Sequence, residues 1–265
     1  MLDDNSVSIV LPVYNQQDLI YKVIGGILSN ASPNVKELLI ILDGCTDHSE
    51  ENACKAIKDF SHAMEIKFFI KQVSEWEVLC CNTGFKNSSC KYSISIQDDI
   101  ILTEKNYDIR WVEPFKMVSN MLCVSGRGAE DEFIDVNGAL GKMNVAGRDV
   151  HSPRELLAIR DVINRPFMVD NIKLQELNYL DEEFAPIDGD DRDLCFRGYR
   201  RGWVSGCYVI DYESEIMWGT TRKNPNSYKI WDSSAIKNNK KIFERHFDLL
   251  NGEKHTQNYV RENVK

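Results

Sequence analysis

The sequence lacks the features that mark membrane, secreted, repeat and disordered proteins. Its longest apolar runs, residues 9–13 and 38–42, have the length of a strand and are far too short to span a bilayer as a helix. Its first residues, MLDDNS, are acidic and polar, so we expect no secretory signal. With 43% hydrophobic and 28% charged residues and no internal repeats, the 265 residues predict one α/β domain with an appendage, or two small domains.

The cysteine spacing indicates neither a disulfide framework nor a zinc site. The eight cysteines include no C-x-x-C pair and no cysteine–histidine spacing of the kind that binds zinc. The five histidines are scattered and have no paired spacing. We therefore expect reduced thiols in a cytosolic protein, most of them serving as small core residues.

Charge is distributed unevenly along the chain. The formal net charge is −9, which argues against a general nucleic-acid-binding protein. From Arg222 to the end there are ten basic and five acidic residues, so this segment carries +5 and the preceding residues carry −14. Within it, residues 226–250 have the apolar spacing of an amphipathic helix, which we expect to pack on the domain or on a partner. The alternative is peripheral contact with an anionic membrane surface.

The first hundred residues alternate between strand and helix patterns. Apolar runs rich in β-branched residues predict strands, and apolar residues three and four positions apart predict helices. The predicted strands are 7–15, 36–44, 66–72 and 91–101, and the predicted helices are 18–30, 49–60 and 76–89. This order implies right-handed βαβ crossovers and a mainly parallel sheet, with a nucleotide-binding crevice at the carboxyl ends of the strands.

Beyond residue 102 the alternation weakens. Residues 111–128 predict a helix followed by a strand, whereas residues 129–165 are polar and aperiodic and predict a long functional loop. The remaining predicted elements are strands at 165–171 and 204–212 and helices at 172–180 and 190–202.

Acidic residues cluster at three predicted strand ends or helix starts. The clusters are Asp43 with Asp47, Asp98 with Asp99, and Asp188, Asp190, Asp191 and Asp193. Each cluster alone is compatible with a solvated turn. Together they predict convergence on one crevice, where carboxylates would hold Mg²⁺ or Mn²⁺ against a substrate diphosphate and one carboxylate would act as a general base.

Five motifs, in order, resemble those of the family-2 glycosyltransferases, which are inverting enzymes with a GT-A fold. The motifs are VSIVLPVYNQQDLI from residue 7, ILDGCTDHSEENA from residue 41, CCNTGFKNS from residue 80, YSISIQDDIIL from residue 92 and NYLDEEFAPIDGDDRDLCFRGYRRGW from residue 178. The resemblance implies a GT-A-like domain at 1–222, with a nucleotide-binding half at 7–102 and an acceptor half at 103–222. A basic, partly helical C-terminal extension at 223–265 would follow.

The same resemblance implies roles for individual residues. The donor nucleotide would contact Pro12, Val13, Tyr14, Asn15, Asp43, Asn82 and Asp98. Asp99 matches the last acidic residue of the D-x-D motif and would bind the metal. Asp191 matches the aspartate of the E-D motif and would deprotonate the acceptor hydroxyl, with Asp190 in place of the glutamate.

The sequence departs from the family pattern at several positions. Gln97 replaces the first aspartate of D-x-D, Leu42 replaces an aspartate of D-D-G, and Cys81 replaces the arginine of A-R-N. The late histidine that serves as a metal ligand in the family has no counterpart in residues 213–224. In that stretch Arg222 and Trp218 offer a different donor contact, because a guanidinium binds a diphosphate bidentately. The alternative is an ordinary loop with a packed tryptophan.

The predicted function is transfer of a sugar from a nucleotide-diphosphate donor, with a UDP-sugar favoured, to a hydroxyl of a glycan or lipid-linked acceptor. Residues 129–165 and the segment before Asp190 would shape the acceptor site. A sugar nucleotidyltransferase is disfavoured because the turn after the first strand, PVYNQQD, is not glycine-rich. A GT-A module that binds a nucleotide sugar or glycan without turnover remains the other alternative. The expected location is the cytoplasm or a membrane surface facing it.

Overall fold

A nine-stranded central sheet organises the computed structural model, which describes residues 5–252 and 256–260. In chain order the strands are β1 (Val7–Val13), β2 (Val35–Asp43), β3 (Glu65–Lys71), β4 (Tyr92–Ser95), β5 (Ile101–Leu102), β6 (Met121–Ser125), β7 (Gly128–Ile134), β8 (Leu140–Gly147), β9 (Leu156–Arg160), β10 (Val162–Ile163), β11 (Phe167–Asp170), β12 (Val204–Cys207), β13 (Tyr212–Glu213) and β14 (Gln257–Val260). The helices are α1 (Ile20–Asn30), α2 (Ser49–Asp59), α3 (Trp76–Asn87), α4 (Tyr107–Met117), α5 (Asn171–Glu176), α6 (Asp190–Tyr199), α7 (Thr220–Lys223) and α8 (Pro225–Leu250). The order across the sheet is β14-β9-β12-β6-β11-β4-β1-β2-β3.

The N-terminal half forms the parallel part of this sheet, as predicted. Strand β1 pairs in parallel with β2 and β4, and β2 pairs in parallel with β3. Most residues of β1 and β2 are buried, because helices cover both faces of the sheet. The apolar sides of α1 and α2 join one core cluster and that of α3 joins the other. Every carboxyl end in this half therefore lies at the same edge.

A strand reversal in the second half brings further loops to that edge. Strand β11 runs antiparallel to both of its neighbours, β4 and β6. Its first residue, Phe167, lies opposite Ser95 and Ser125, the last residues of those two strands. The segments that follow β4 and β6 and the segment that precedes β11 thus meet at one place. Mixed α/β architecture with a mainly parallel sheet is confirmed.

The prediction of a long loop at residues 129–165 was wrong. Strands β7 and β8 form an antiparallel hairpin that, with β10, makes a separate three-stranded sheet, and β9 joins the central sheet. The hairpin has no apolar alternation because it buries charge: Glu132 of β7 is fully buried against the guanidinium of Arg192 on α6. Periodicity of apolar residues cannot identify a strand whose inward side chain is half of an ion pair.

Three other predicted elements are shorter than expected. The strand predicted at 91–101 stops at Ser95, and residues 97–99 leave the sheet before β5 begins. The strand predicted at 204–212 stops at Cys207, and the helix predicted at 172–180 stops at Glu176. All eight cysteines lie in the described residues and none forms a disulfide; six are buried, which confirms them as core residues.

The C-terminal segment is integrated with the rest of the fold. Helix α8 packs against α6 and β7, and β14 pairs antiparallel with β9 at the edge of the central sheet. The segment after the predicted boundary at residue 222 thus contacts the rest of the fold, and the boundary itself stays a prediction. Residues 253–255 and 261–265 of the predicted extension lie outside the described residues. In the described part of the chain, no helix has the length and hydropathy needed to cross a membrane.

Candidate active site

A cleft of about 560 Å³ opens at the carboxyl edge of the central sheet. It lies where the ends of β1, β2, β4 and β6 converge with the start of β11, which is the position expected for a ligand in an open α/β sheet. Acidic, basic and aromatic side chains line it together. The lining residues discussed below are Pro12, Val13, Tyr14, Asp43, Trp76, Glu77, Asp98, Asp99, Arg127, Glu130, Asn144, Arg165, Asp188, Asp191, Gly219, Arg222, Tyr228 and Trp231.

The end of β1 is tied to the loop after β4. The backbone N–H of Tyr14 donates to Oδ2 of Asp98 over 2.9 Å. Burial raises the pKa of Asp98 to about 7, the Tyr14 N–H lowers it, and the neighbouring Asp99 charge raises it. Asp98 therefore holds the β1 turn in place, and its buried carboxyl group binds a proton more tightly than an exposed aspartate does.

The end of β2 supports the loop before α3. Asp43 accepts the Ser74 hydroxyl over 2.7 Å and the backbone N–H groups of Glu75 and Trp76 over 2.6 and 3.0 Å. Its carboxylate thus fixes the loop, although one side of it also lines the cleft. Trp76 has a φ of 68°, a strained left-handed conformation for a non-glycine residue, and it is one of the residues that line the cleft.

Asp99 lies among basic side chains. Burial raises its pKa, and Arg222, Arg127 and Lys223 oppose that rise. Gly219 packs directly on this pair of charges: a Cβ at residue 219 would lie 3.0 Å from Oδ2 of Asp99 and 3.4 Å from Nη1 of Arg222. One carboxylate and at least two cations therefore face the same part of the cleft.

A divalent cation fits this part of the cleft only together with an anionic substrate. In residues 5–252 and 256–260, no three histidine, cysteine or acidic side chains form a complete metal site. Asp99 and the neighbouring Asp98 nevertheless supply hard oxygen ligands. Mg²⁺ characteristically keeps several waters and binds one or two carboxylates plus substrate phosphates, so this donor set is sufficient when a diphosphate is present.

Asp191 lies at the start of α6 and is held by a buried arginine. Nη1 of Arg165 lies 3.5 Å from Oδ2 of Asp191, and the backbone N–H of Arg192 donates to Oδ1 over 2.9 Å. Burial raises the pKa of Asp191 to about 7; Arg165 lowers it and the nearby Asp190 and Asp188 charges raise it. A carboxylate with that pKa, facing a cleft, is suited to accept a proton near neutral pH.

Asp190, the other predicted catalytic residue, is fully buried and does not line the cleft. Its Oδ2 pairs with Nη2 of Arg165, whose Nε lies 3.4 Å from Oε1 of Glu77. Glu77 also accepts the amide of Gln97 over 3.4 Å. Asp190 and Glu77 thus hold Arg165 from two sides, and Arg165 presents the remaining part of its guanidinium to Asp191.

Three predicted donor-binding residues are not among the lining residues. Asn82 is buried on α3, where its amide donates to the carbonyl of Leu180 and to Glu182, so it joins α3 to the segment before α6. Asn15 accepts the backbone N–H of Thr46 over 2.7 Å. Trp218 packs against the core, and its carbonyl accepts the amide of Gln16.

The sequence interpretation missed several lining residues that come from distant segments. Arg165, Arg127 and Trp76 carry no family motif, and Tyr228 and Trp231 belong to the predicted C-terminal extension. For Arg165 and Arg127 the only available signal was a basic residue near one end of a predicted strand. For Tyr228 and Trp231 the signal was two aromatics three positions apart on a predicted helix.

Sequence comparison relates the chain to glycosyltransferases, although no family model matches it. An uncharacterized glycosyltransferase of Rickettsia conorii is 31% identical over 240 residues, which cover 87% of this chain and 36% of that protein. The poly-β-1,6-N-acetyl-D-glucosamine synthase of Staphylococcus epidermidis is 27% identical over 120 residues, covering 45% of this chain and 28% of that protein. Glycosyltransferase GlyA of Streptococcus pneumoniae is 29% identical over 99 residues, covering 37% of this chain and 14% of that protein. The chain thus spans between 14% and 36% of the length of these curated relatives.

Comparison with solved structures identifies the fold. The GalNAc-T7 structure with UDP, GalNAc and Mn²⁺ has a TM-score of 0.62 at 12% identity, covering 77% of this chain and 41% of that one. Staphylococcus aureus TarS 1–349 with UDP has a TM-score of 0.55 at 11% identity, covering 78% and 59%. The mannosyltransferase PcManGT of Pyrobaculum calidifontis, with GDP-Man and Mn²⁺, has a TM-score of 0.57 at 10% identity, covering 80% and 56%.

These similarities confirm the family resemblance and the fold class that the five motifs predicted. The solved structures match the fold over 77–78% of this chain, and the sequence is similar to a curated relative over 240 residues. In sequence the chain is similar to curated glycosyltransferases, and its fold is that of the GT-A glycosyltransferases of known structure.

Proposed function

We propose that the chain transfers a glycosyl residue from a nucleoside-diphosphate sugar to a hydroxyl group, with inversion at the anomeric carbon. The observation that carries this proposal is the position of Asp191: its carboxylate faces the cleft, is held by Arg165, and has a pKa of about 7. The same cleft contains the basic residues Arg127 and Arg222 beside Asp99, which suit a diphosphate leaving group.

The donor nucleotide would occupy the part of the cleft formed by the N-terminal half. Pro12, Val13, Tyr14 and the ring of Trp76 offer apolar and aromatic contacts for a nucleobase. Asp43 lies beside them, and the Ser74–Trp76 loop that it fixes sets the shape of that pocket. We favour a UDP-sugar, because TarS and GalNAc-T7 were both crystallised with UDP.

The diphosphate would lie between Asp99 and the basic side chains of Arg222 and Arg127. Asp99, with Asp98, would hold Mn²⁺ or Mg²⁺ there; GalNAc-T7 and PcManGT were crystallised with Mn²⁺. When bound, the cation supplies charge neutralisation of the departing diphosphate. Arg222 and Arg127 contribute to the same neutralisation through charge-assisted hydrogen bonds.

The reaction would be a single displacement at the anomeric carbon. The acceptor oxygen forms a bond to that carbon while the bond from the carbon to the diphosphate oxygen breaks, and the nucleoside diphosphate leaves with the electron pair. The hydroxyl proton passes to Oδ2 of Asp191. Arg165 orients Asp191 and stabilises its ionised form. Attack from the side opposite the leaving group inverts the configuration.

The C-terminal half, together with α8, would bind the acceptor. Within this proposal, residues 7–102 hold the donor and residues 103–222 form most of the acceptor side. The exposed Ile230 and Ile236 on α8 remain candidates for contact with a lipid-linked acceptor or a membrane surface. That contact and a cytoplasmic location stay predictions.

The decisive experiment measures nucleoside diphosphate released from a panel of UDP-, GDP- and dTDP-sugars with Mn²⁺. Wild-type protein is expected to release the nucleotide from at least one donor, and Asp191→Asn to lose transfer while still binding that donor. Asp248→Asn, which alters an ionised carboxylate outside the cleft, serves as the control. Donor binding without release by the wild type would overturn the proposal in favour of a non-catalytic binding module.

A further inference from the structure

Two aromatic rings at the beginning of α8 face the cleft without a role in the mechanism above. Tyr228 and Trp231 both line it, with ring centroids 5.4 Å apart and planes inclined by 45°. Tyr228 is 47% exposed and Trp231 is half-buried. Aromatic rings left open to solvent inside a cleft are characteristic of a ligand-binding surface rather than of a core.

The position of α8 places the rings between the proposed diphosphate position and the proposed general base. Before the helix, Gly219 packs on Asp99, where the diphosphate would lie. Further along it, the amide of Asn238 donates to the carbonyl of Asp188 over 2.7 Å, in the loop that leads to Asp191. Trp231 precedes Asn238 by seven residues, about 10 Å along a helix. The rings therefore lie along the path from the donor side to the general base.

Polar groups accompany the rings on the same lining. Asn144 and Glu130 come from the β7–β8 hairpin, and Asp188 comes from the loop before α6. Amide and carboxylate groups beside aromatic faces match a sugar ring, which presents an apolar C–H face and a rim of hydroxyl donors. The two carboxylates disfavour a phosphate or another anionic head group at this position.

We propose that Tyr228 and Trp231 form a stacking platform for a sugar ring of the acceptor, so that the acceptor is a glycan. This inference rests on the proposed transferase function, because only a transferase has an acceptor. The platform itself requires only that the cleft bind carbohydrate. Removing one ring of the platform is expected to weaken glycan binding by about tenfold.

The same helix supplies a matched control. Phe243 and Phe247 also form an aromatic pair on α8, with centroids 5.3 Å apart, and Phe247 is 47% exposed, as Tyr228 is. Neither phenylalanine lines the cleft. Phe247→Ala therefore removes an equally exposed ring from the same helix without touching the proposed platform.

The experiment compares wild type, Tyr228→Ala, Trp231→Ala and Phe247→Ala on an array of neutral oligosaccharides of diverse linkage, with UDP affinity measured by calorimetry alongside. Wild type and Phe247→Ala are expected to bind the same glycans. Tyr228→Ala and Trp231→Ala are expected to lose about tenfold in glycan affinity, with UDP affinity reduced much less. That UDP measurement also shows whether these variants are folded.

The outcomes separate the platform from the transferase proposal. Wild type that binds no glycan, or ring variants that keep full glycan affinity, overturn the platform whatever the donor assays show. Binding only to arrays of anionic lipid head groups overturns it as well. Ring-dependent glycan binding by a protein that releases no nucleotide from any donor supports the platform and counts against the transferase.

Discussion

The guanidinium of Arg165 joins Asp190 to Asp191 beneath the cleft. Nη2 pairs with the fully buried Asp190, Nη1 lies 3.5 Å from Oδ2 of Asp191, and Nε reaches Glu77. Two adjacent carboxylates at the start of one helix thereby have different tasks. Asp190 anchors the arginine, and Asp191 lines the cleft.

Loss of the Arg165 charge is expected to destabilise the fold. Arg165→Met leaves buried carboxylates unpaired, which costs about 3–5 kcal/mol in the free energy of unfolding. Arg165→Lys keeps a positive charge, so its free energy of unfolding is expected to fall by less. Urea unfolding of both variants checks this. Equal loss in the two variants would contradict a role for the charge.

Activity is expected to rise with pH through about 7, because transfer requires ionised Asp191 and its pKa is about 7. Arg165 lowers that pKa, so Arg165→Lys, with a less well placed charge, is expected to shift the acid limb of kcat/KM to higher pH. The pH profile of nucleotide release measures both effects. An acid limb that does not move would show that Arg165 is purely structural.

The Asp98 carboxyl group is expected to make the fold less stable as pH rises. Its pKa is about 7 in the folded protein, against ~3.9 in an unfolded chain, so the folded state binds the proton more tightly. The resulting stabilisation is complete below the unfolded pKa and is lost as pH rises through about 7. Asp98→Asn, which keeps an acceptor for the Tyr14 N–H, is therefore expected to gain stability relative to wild type between pH 5 and 8. A constant difference between the two denaturation midpoints over this range would refute the assignment.

A methyl group at residue 219 is expected to disturb the diphosphate region selectively. Its Cβ would lie 3.0 Å from Oδ2 of Asp99, so Gly219→Ala should weaken UDP binding about fivefold or more. The unfolding free energy should change by less than about 1 kcal/mol, since the contact is to a side chain. Gly128→Ala, whose Cβ meets nothing closer than 3.4 Å, is the control. Calorimetry with UDP compares the two variants.

Divalent cations are expected to tighten UDP binding through Asp99. Calorimetric titration of UDP with Mn²⁺ and with EDTA gives the size of this effect in the wild type. Asp99→Asn is expected to lose most of it, because a neutral amide is a poorer ligand for a hard cation. An undiminished Mn²⁺ effect in Asp99→Asn would place the cation elsewhere.

The sequence predicted the parts of the molecule whose signals are local. Strands β1 and β2 are continuous apolar runs, and Asp43 and Asp99 follow strands whose ends must share one edge. Arg165 gave no such signal, because its partners Glu77 and Asp191 reach it through the reversal of β11. The β7–β8 hairpin was missed because its buried Glu132 pairs with Arg192 and removes the apolar alternation. Asn82 was assigned by the family resemblance; its amide donates to the carbonyl of Leu180, and its contact with a donor stays a prediction.

The path of the C-terminal segment affects what proteolytic removal of that segment would expose. Its described part leaves the cleft at Arg222, runs along α8, and includes β14, which pairs with β9 at the edge of the central sheet. A protease cut near Asn224 that released this segment would open the cleft and also uncover the backbone donors and acceptors of β9. Uncovered strand edges pair with other chains, so the shortened protein would self-associate instead of persisting as a smaller folded unit.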